Sequence, residues 1–423
     1  MVELAVIGGG TMGMYTARAL SPHVDKVSIF DNHPLSMLDE PKNFQFDGIY
    51  NNALKSADFV LYCVPTDKVS EVMAQTLPFV KNGAIVGGQT SRKAPEKQAF
   101  DEFVQANPDR RLQYFSIHTM CNPQVANPAT SRLALIRDGT SDGAFETAFG
   151  LYSNLPGIIS EFESIKEHDR RVANTQVNTS RTMLSIASSF EEARCFPWLN
   201  GTYGSGIDAM KFALAMRAAS FEPHVYKGIQ FGNPEGREIV RHSMEVESEL
   251  FGLIVGGREN LYVDRVLDAA EKIFKEKGNP ILSAQTVDSF SKGRKMPNSH
   301  LSLVSYLVTE AEAGRDLFGD IKATTAMHTG LICLVDFLFN TTELGHAIRA
   351  PFYMPDVRED DLVFHNNFQA WSNAIVFESG ELYDHRHSKM RAGLQNRLIK
   401  DEVERSKEVV KVCQDALEQR LAT

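Results

Sequence analysis

The stretch "VIGGGTMGMYTA", residues 6–17, limits what this chain can fold into more than any other. A short apolar run, "ELAVIG", meets three consecutive glycines and opens directly into the helical pattern of "TMGMYTARAL". Gly8, Gly10 and Gly13 give G-x-G-x-x-G at that junction. The first glycine allows a tight turn, the second lets backbone approach a ligand, and the third lets helix and strand pack closely. Helix N–H groups beginning at Thr11 and Met12 then face any negative charge placed there. A second strand, "KVSIFD", ends at Asp31, about 20 residues past the central glycine, where a carboxylate accepts hydrogen bonds from an adenosine ribose. The bland alternative is a glycine turn followed by a solvated aspartate. Strand, helix and second strand in register favour a dinucleotide site, and Asp31 favours NAD over NADP, because a 2′-phosphate would meet like charge.

The first 165 residues continue this alternation. "DFVLYCVP", "GAIVGGQ", "LQYFSIH", "LALIRDG" and "GIISEF" read as further strands, with helical stretches between several of them. That pattern predicts a Rossmann-like, doubly wound, mostly parallel sheet covered by helices over residues 1–165. From Lys166 the period changes: Val172, Met183, Ile186, Ala187 and Phe190 recur at helical spacing and strand signals become rare. Residues 166–423 are therefore expected to form an all-helical domain. Within it, "FKEKGNPILSAQTVDSFSKGRKMPNSHLSL" is rich in breakers and basic residues and reads as a surface connection, while "LIKDEVERSKEVVKVCQDALEQRLAT" reads as an amphipathic helix for packing or oligomerisation.

Composition excludes several classes of function. A net charge of −10 argues against bulk affinity for nucleic acid or an anionic membrane, so an anionic small substrate needs locally placed arginines. Cys63, Cys121, Cys195, Cys333 and Cys413 are scattered, odd in number and without metal-ligand spacing, which points to neither a disulfide framework nor a metal site and fits a reducing cytoplasm. The apolar start lacks a basic leader, and "LICLVDFLF" is short and interrupted by Asp336, so neither a signal peptide nor a membrane span is expected.

Two later stretches fall at strand ends, where open α/β sheets bind ligands: "VGGQTSRKAPE", with Ser91, and "FSIHTMCNP", with His118. A neutral imidazole at that place can take a proton from a hydroxyl while nicotinamide takes hydride from the same carbon. A lone strand-end histidine is as often a satisfied structural group. Arg217 follows Ile207, Met210 and Leu214 at helical spacing, which sets a guanidinium on an apolar face. It reads either as an internal ion pair or as a carboxylate clamp.

Taken with "EHDRRVANTQ", "PW" at Pro197 and Trp198, "MRAASFEPHVY" and "PNSHLSL", these motifs resemble the prephenate dehydrogenase family (TyrA-like enzymes), and its fungal branch most closely. The resemblance runs from the glycine motif to about residue 310 and is looser beyond. It implies oxidative decarboxylation of prephenate to 4-hydroxyphenylpyruvate, with hydride passing to NADP, the cofactor associated with that branch. It further implies His118 as the base, Ser91 orienting it, Arg217 on a substrate carboxylate, and Gln176 and Trp198 near the pocket. Glu167, His168 and Asp169 of "EHD" read as a helix start, mainly structural. Many relatives have a histidine where this chain has Ser180. Ser180 is neutral and Arg181 follows it, which favours prephenate over the ammonium-bearing arogenate. The resemblance also implies a homodimer paired through the helical domain. The alternatives are an arogenate dehydrogenase, a β-hydroxyacid dehydrogenase, whose lysine and asparagine one helical turn apart have no convincing counterpart in the helix after the domain boundary, and a dinucleotide sensor without turnover.

Overall fold

The structure is a computed structural model that describes residues 1–33, 41–46, 53–120, 128–193, 205–275, 278–291, 296–394 and 396–422. The chain divides into two compact units, Met1–Val172 with Lys322–Thr325, and Ala173–Ile321 with Ala326–Thr423. The helix Ile165–Val172, assigned from sequence largely to the helical half, falls in the first unit. The cause is tertiary: its polar side chains bond to groups of that unit, with Asp169 accepting the backbone N–H of Lys93.

The first unit is built on strands β1 (Glu3–Ile7), β2 (Lys26–Phe30), β3 (Phe44–Phe46), β4 (Phe59–Tyr62), β5 (Ile85–Gly88) and β6 (Gln113–Tyr114). They form a six-stranded sheet in the order β3-β2-β1-β4-β5-β6, and every pairing is parallel. β1 is central, with Val6 in register with Ile29 on one side and Leu61 on the other. The two-residue period of the strand sends Leu4 and Val6 into one apolar layer and Ala5 and Ile7 into the opposite one, so both faces are covered.

"LQYFSIH" is not the single strand its pattern predicts. The chain leaves the parallel sheet after Tyr114 and resumes as β7 (Ser116–Thr119) in a separate three-stranded sheet with β8 (Arg132–Ile136) and β9 (Ile158–Phe162). β7 runs antiparallel to β8, and β8 parallel to β9. At the break the chain passes close over β5: a Cβ on Gly87 would sit 1.7 Å from the Phe115 carbonyl oxygen, so only glycine permits that approach. The break carries His118 out of the parallel ladder and into register with Ala134.

The second unit is helical. Its helix Gly206–Ser220 is buried at every residue from Gly206 to Ala219, which explains why its sequence is apolar around most of its circumference. Thr179–Ala193, Ala326–Asn340 and the C-terminal helix Asn396–Ala422 pack against it. The segment expected as a surface connection contains the short helix Ala284–Ser289 and ends with Ser299 and His300 buried, so it is partly core. Its residues 276, 277 and 292–295 lie outside the described set. Among the described residues no single helix is long and apolar enough to cross a membrane.

Trp371 is fully buried in this unit, donates its indole N–H to Ser188 Oγ at 2.8 Å and meets the Tyr383 ring edge-on. Replacing Trp371 with Ala is expected to cost about 3–5 kcal/mol, read as a fall in the urea midpoint of unfolding.

Candidate active site

The glycine turn is shaped from within. Gly8 has φ of +105°, and a Cβ there would lie 2.4 Å from the Cys63 carbonyl oxygen. At Gly13 a Cβ would lie 1.8 Å from the Gly8 carbonyl oxygen. Gly10 differs: it is exposed, and nothing lies within 4 Å of the place its Cβ would take. The helix Thr11–Leu20 begins there with no side-chain cap and no acidic residue in its first turn. Thr11, Met12 and Gly13 thus present N–H groups at an open mouth, which fits an anionic diphosphate. Asp31 follows the end of β2, where Oδ2 accepts the Gly9 N–H at 2.7 Å and Oδ1 the His33 N–H at 2.8 Å. Its carboxylate pins the glycine turn and keeps capacity for a ribose hydroxyl.

His118 lies on β7, 4% exposed. Gln89, just past the end of β5, connects this strand to the glycine helix: its Nε2 donates to Thr16 Oγ1 at 2.8 Å and Thr119 Oγ1 at 3.1 Å, and its Oε1 accepts the Thr119 N–H at 3.0 Å. Lys93 is fully buried and donates to the carbonyls of Gly88 at 2.8 Å and Ile117 at 2.7 Å, with Glu96 at 3.5 Å. Glu96 in turn accepts from Tyr114 at 2.7 Å and Thr90 at 2.6 Å. A Cβ on Gly88 would collide with the Glu96 carboxylate, so the second glycine of "GGQTS" makes room for it. None of Gln89, Lys93 and Glu96 was singled out from sequence as a site residue, although all three lie inside the motif "GGQTSRKAPE".

The "EHD" residues go beyond a helix start. His118 Nδ1 is 3.0 Å from His168 Nε2, and His168 Nδ1 is 2.8 Å from Asp169 Oδ1. Asp169 also accepts the backbone N–H groups of Lys93 and Ala94 at 2.9 Å each, where the helix Ala94–Ala106 begins. Ser91 makes no hydrogen bond to His118 among the described residues. The group that holds His118 is His168, 50 residues away in sequence. Burial, reinforced by the neighbouring His168 and Lys93, keeps the His118 imidazole well below its ordinary pKa. Burial also lowers His168, against the pull of Asp169. Both rings are therefore neutral at neutral pH. Burial pushes the Cys63 thiol up to about 12, which leaves it unreactive.

The remaining sequence candidates lie in the second unit. Ala173–Asn178 is a π turn, all of it buried, and it contains Gln176. Such turns recur at functional sites. Ser180 donates to the Gln176 carbonyl at 2.5 Å and accepts from Gln230 Nε2 at 2.8 Å. Arg181 points into the helical core, donating to Ser243 at 2.7 Å with its guanidinium 3.7 Å from the Phe368 ring centroid. Glu310 accepts from Asn174 at 2.9 Å, and burial raises its carboxyl to about 7. Arg217 is 4% exposed and donates to Ser406 of the C-terminal helix at 3.5 Å. Trp198 lies outside the described residues, as do Asn122 and Pro123 of the turn after His118. Among the described residues no group of His, Cys, Asp or Glu is placed to hold a metal ion.

Comparison with known proteins bears on both units. Residues 3–110 match the NAD binding domain of 6-phosphogluconate dehydrogenase, and residues 177–415 match the 6-phosphogluconate dehydrogenase C-terminal domain in its Tyr-one-like form. A Schizosaccharomyces pombe protein named "Probable prephenate dehydrogenase, NADP(+)" is 28% identical over 407 residues, spanning 91% of each chain. A Saccharomyces cerevisiae protein named "Prephenate dehydrogenase, NADP(+)" is 25% identical over 406 residues, spanning 90% of this chain and 87% of its own. A crystal structure of prephenate dehydrogenase from A. aeolicus with hydroxyphenyl propionate and NAD+ aligns at a TM-score of 0.48 and 16% identity, over 62% of this chain and 94% of that one. The match over residues 177–415 takes in more than half of the sequence, and the chain belongs to the Tyr-one-like family of 6-phosphogluconate dehydrogenase C-terminal domains.

Proposed function

We propose that this chain is an NADP-dependent prephenate dehydrogenase, which converts prephenate to 4-hydroxyphenylpyruvate and carbon dioxide. The observation that carries the reading is a neutral, enclosed His118 at the end of β7, in a chain whose curated relatives of that name align over nine-tenths of its length. His118 accepts the proton of the C4 hydroxyl as the C4–H bond is broken and the C1 carboxylate leaves as carbon dioxide. A bound nicotinamide supplies the hydride acceptor. Aromatisation of the ring supplies the driving force, so the chain's task is to position the substrate and hold one proton acceptor.

Gly8, Gly10, Gly13, Thr11 and Met12 would hold the diphosphate, with Asp31 at the adenosine ribose. NADP is taken from the curated relatives' names. Asp31 argues less strongly for NAD than its position alone implies, because both its oxygens already serve the turn that holds Gly9 and His33. In the second unit, Arg217 is assigned to a substrate carboxylate on its match in "MRAASFEPHVY", with Gln176, Ser180 and Trp198 at the pocket. A neutral hydroxyl at Ser180 offers no countercharge to an ammonium, which supports prephenate over arogenate. Ser91 is retained as a contact near the nicotinamide rather than as the group that orients His118. Pairing of the helical unit with a second copy and a cytoplasmic setting complete the proposal.

The test is reduced nicotinamide formed by purified protein with prephenate or arogenate, each with NADP and with NAD. Prephenate with NADP is expected to turn over fastest, and His118→Gln to lower that rate by roughly two to four powers of ten while NADP affinity stays within about twofold. Absence of turnover in protein that binds NADP would refute the reading. For the dinucleotide site, Gly10→Ala should weaken NADP binding at least about tenfold in calorimetry with an unchanged Tm, whereas Gly13→Ala should lower Tm, because only the second substitution meets protein atoms. The pH profile has a definite sign. A protonated imidazole cannot accept a proton, and burial lowers the His118 pKa, so kcat/KM should be level from about pH 6.5 upward through neutrality and fall only below the ordinary histidine range. An acid limb centred above about pH 7 would contradict this.

A further inference from the structure

We infer that Asp169 and His168 act as positioning residues that fix the tautomer of His118, leaving its Nε2 as the lone pair that receives the substrate proton. The inference rests on the reading of His118 as the base.

Asp169 anchors the chain of donors. Asp169 is 4% exposed, and its carboxylate takes the backbone N–H of Lys93 at 2.9 Å to Oδ1 and of Ala94 at 2.9 Å to Oδ2. Backbone N–H groups only donate, so Asp169 is held as an acceptor, and the group 2.8 Å from Oδ1 must be a donor. That group is His168 Nδ1, which therefore carries the hydrogen. A neutral imidazole has one N–H, so His168 Nε2 is an acceptor. His118 Nδ1, 3.0 Å away, must then carry the hydrogen of its own ring, and His118 Nε2 is left with its lone pair. His168 is fully buried and His118 nearly so, which keeps water from supplying an alternative partner. The opposite arrangement would set the lone pair of His168 Nδ1 against a carboxylate oxygen 2.8 Å away.

The anchoring is rigid on both sides. Lys93 donates through its side chain to the Ile117 carbonyl, one residue before His118, and through its backbone to Asp169. The Phe162 and His118 rings each meet His168 edge-on. In the proton transfer, the hydroxyl O–H bond of the substrate breaks and its electron pair becomes the second bond of a carbonyl as the C4–H pair leaves for the hydride acceptor. The proton bonds to His118 Nε2, the resulting imidazolium keeps its Nδ1–H directed at His168, and Nε2 returns the proton to the phenolate oxygen that forms when carbon dioxide leaves. Neither Asp169 nor His168 touches the reacting atoms.

The inference is tested by long-range hydrogen–nitrogen NMR correlations of protein carrying nitrogen-15 histidine, with His118→Gln used for assignment. The expected result is hydrogen on Nδ1 of both rings. Asp169→Asn introduces an amide that can donate to His168 Nδ1, so the chain of donors reverses. His118 should then carry its hydrogen on Nε2, with kcat lowered by roughly two to four powers of ten and both KM values within about threefold. His168→Gln places a carbonyl oxygen where it can accept from His118 Nδ1 and should keep kcat within about tenfold of wild type, whereas His168→Leu should lose about a hundredfold. The last pair controls for folding defects, since both remove the ring. A wild-type His118 with hydrogen on Nε2 overturns the inference, as does an Asp169→Asn protein with unchanged tautomer and kcat. A full rate in His118→Gln, with the tautomer as expected, overturns the role of His118 as base and leaves the tautomer assignment standing.

Discussion

Much of the first unit's site converges on one carboxylate. Asp169 binds the N–H groups that open the helix Ala94–Ala106 and, through His168, reaches His118 on β7. Three segments far apart in sequence are thereby held together: the turn after β5, the strand of the candidate base, and the helix Ile165–Val172. Charge-assisted hydrogen bonds of this kind are stronger than neutral ones and leave little angular freedom. Lys93 and Glu96 lie beside this network as a second buried charged pair, satisfied by Gly88, Ile117, Tyr114 and Thr90. A network so completely paired makes a precise scaffold, and its burial keeps the histidines neutral.

The dinucleotide end is held by different means. Glycines do there what charges do at His118: Gly8 and Gly13 are excluded from bearing a side chain by the protein itself, while Gly10 is left open for a ligand. Gln89 joins the two ends, with hydrogen bonds to Thr16 on the glycine helix and Thr119 beside His118. The residue that holds the strand of the candidate base thus also touches the helix that would carry the cofactor's diphosphate.

Much of this was legible in the sequence, and the exceptions share a cause. The strand-glycine-helix junction, Asp31 and the change to helical period near residue 165 depend on local spacing, which a sequence displays directly. The split between β6 and β7 was not legible, because "LQYFSIH" carries one unbroken β pattern and the change of partner strand, with the close passage over Gly87, is tertiary. His168 and Asp169 read as helix capping for the same reason: their partners at Lys93 and His118 are tertiary. Arg217 was recognisable as a charge on an apolar face, but its contact with Ser406 comes from the far end of the chain. The π turn holding Gln176 has no local signature in "ANTQVN" that separates it from an ordinary helix.

The central claim is that His118 meets the hydroxyl from which the reaction takes its proton. The most direct measurement is a crystal structure of the chain with NADP and 4-hydroxyphenylpyruvate, whose ring oxygen marks where the substrate hydroxyl stood. That oxygen is expected within hydrogen-bond distance of His118 Nε2, with Nδ1 still turned to His168. A product whose oxygen is held by another group, with His118 enclosed and untouched, would contradict the claim.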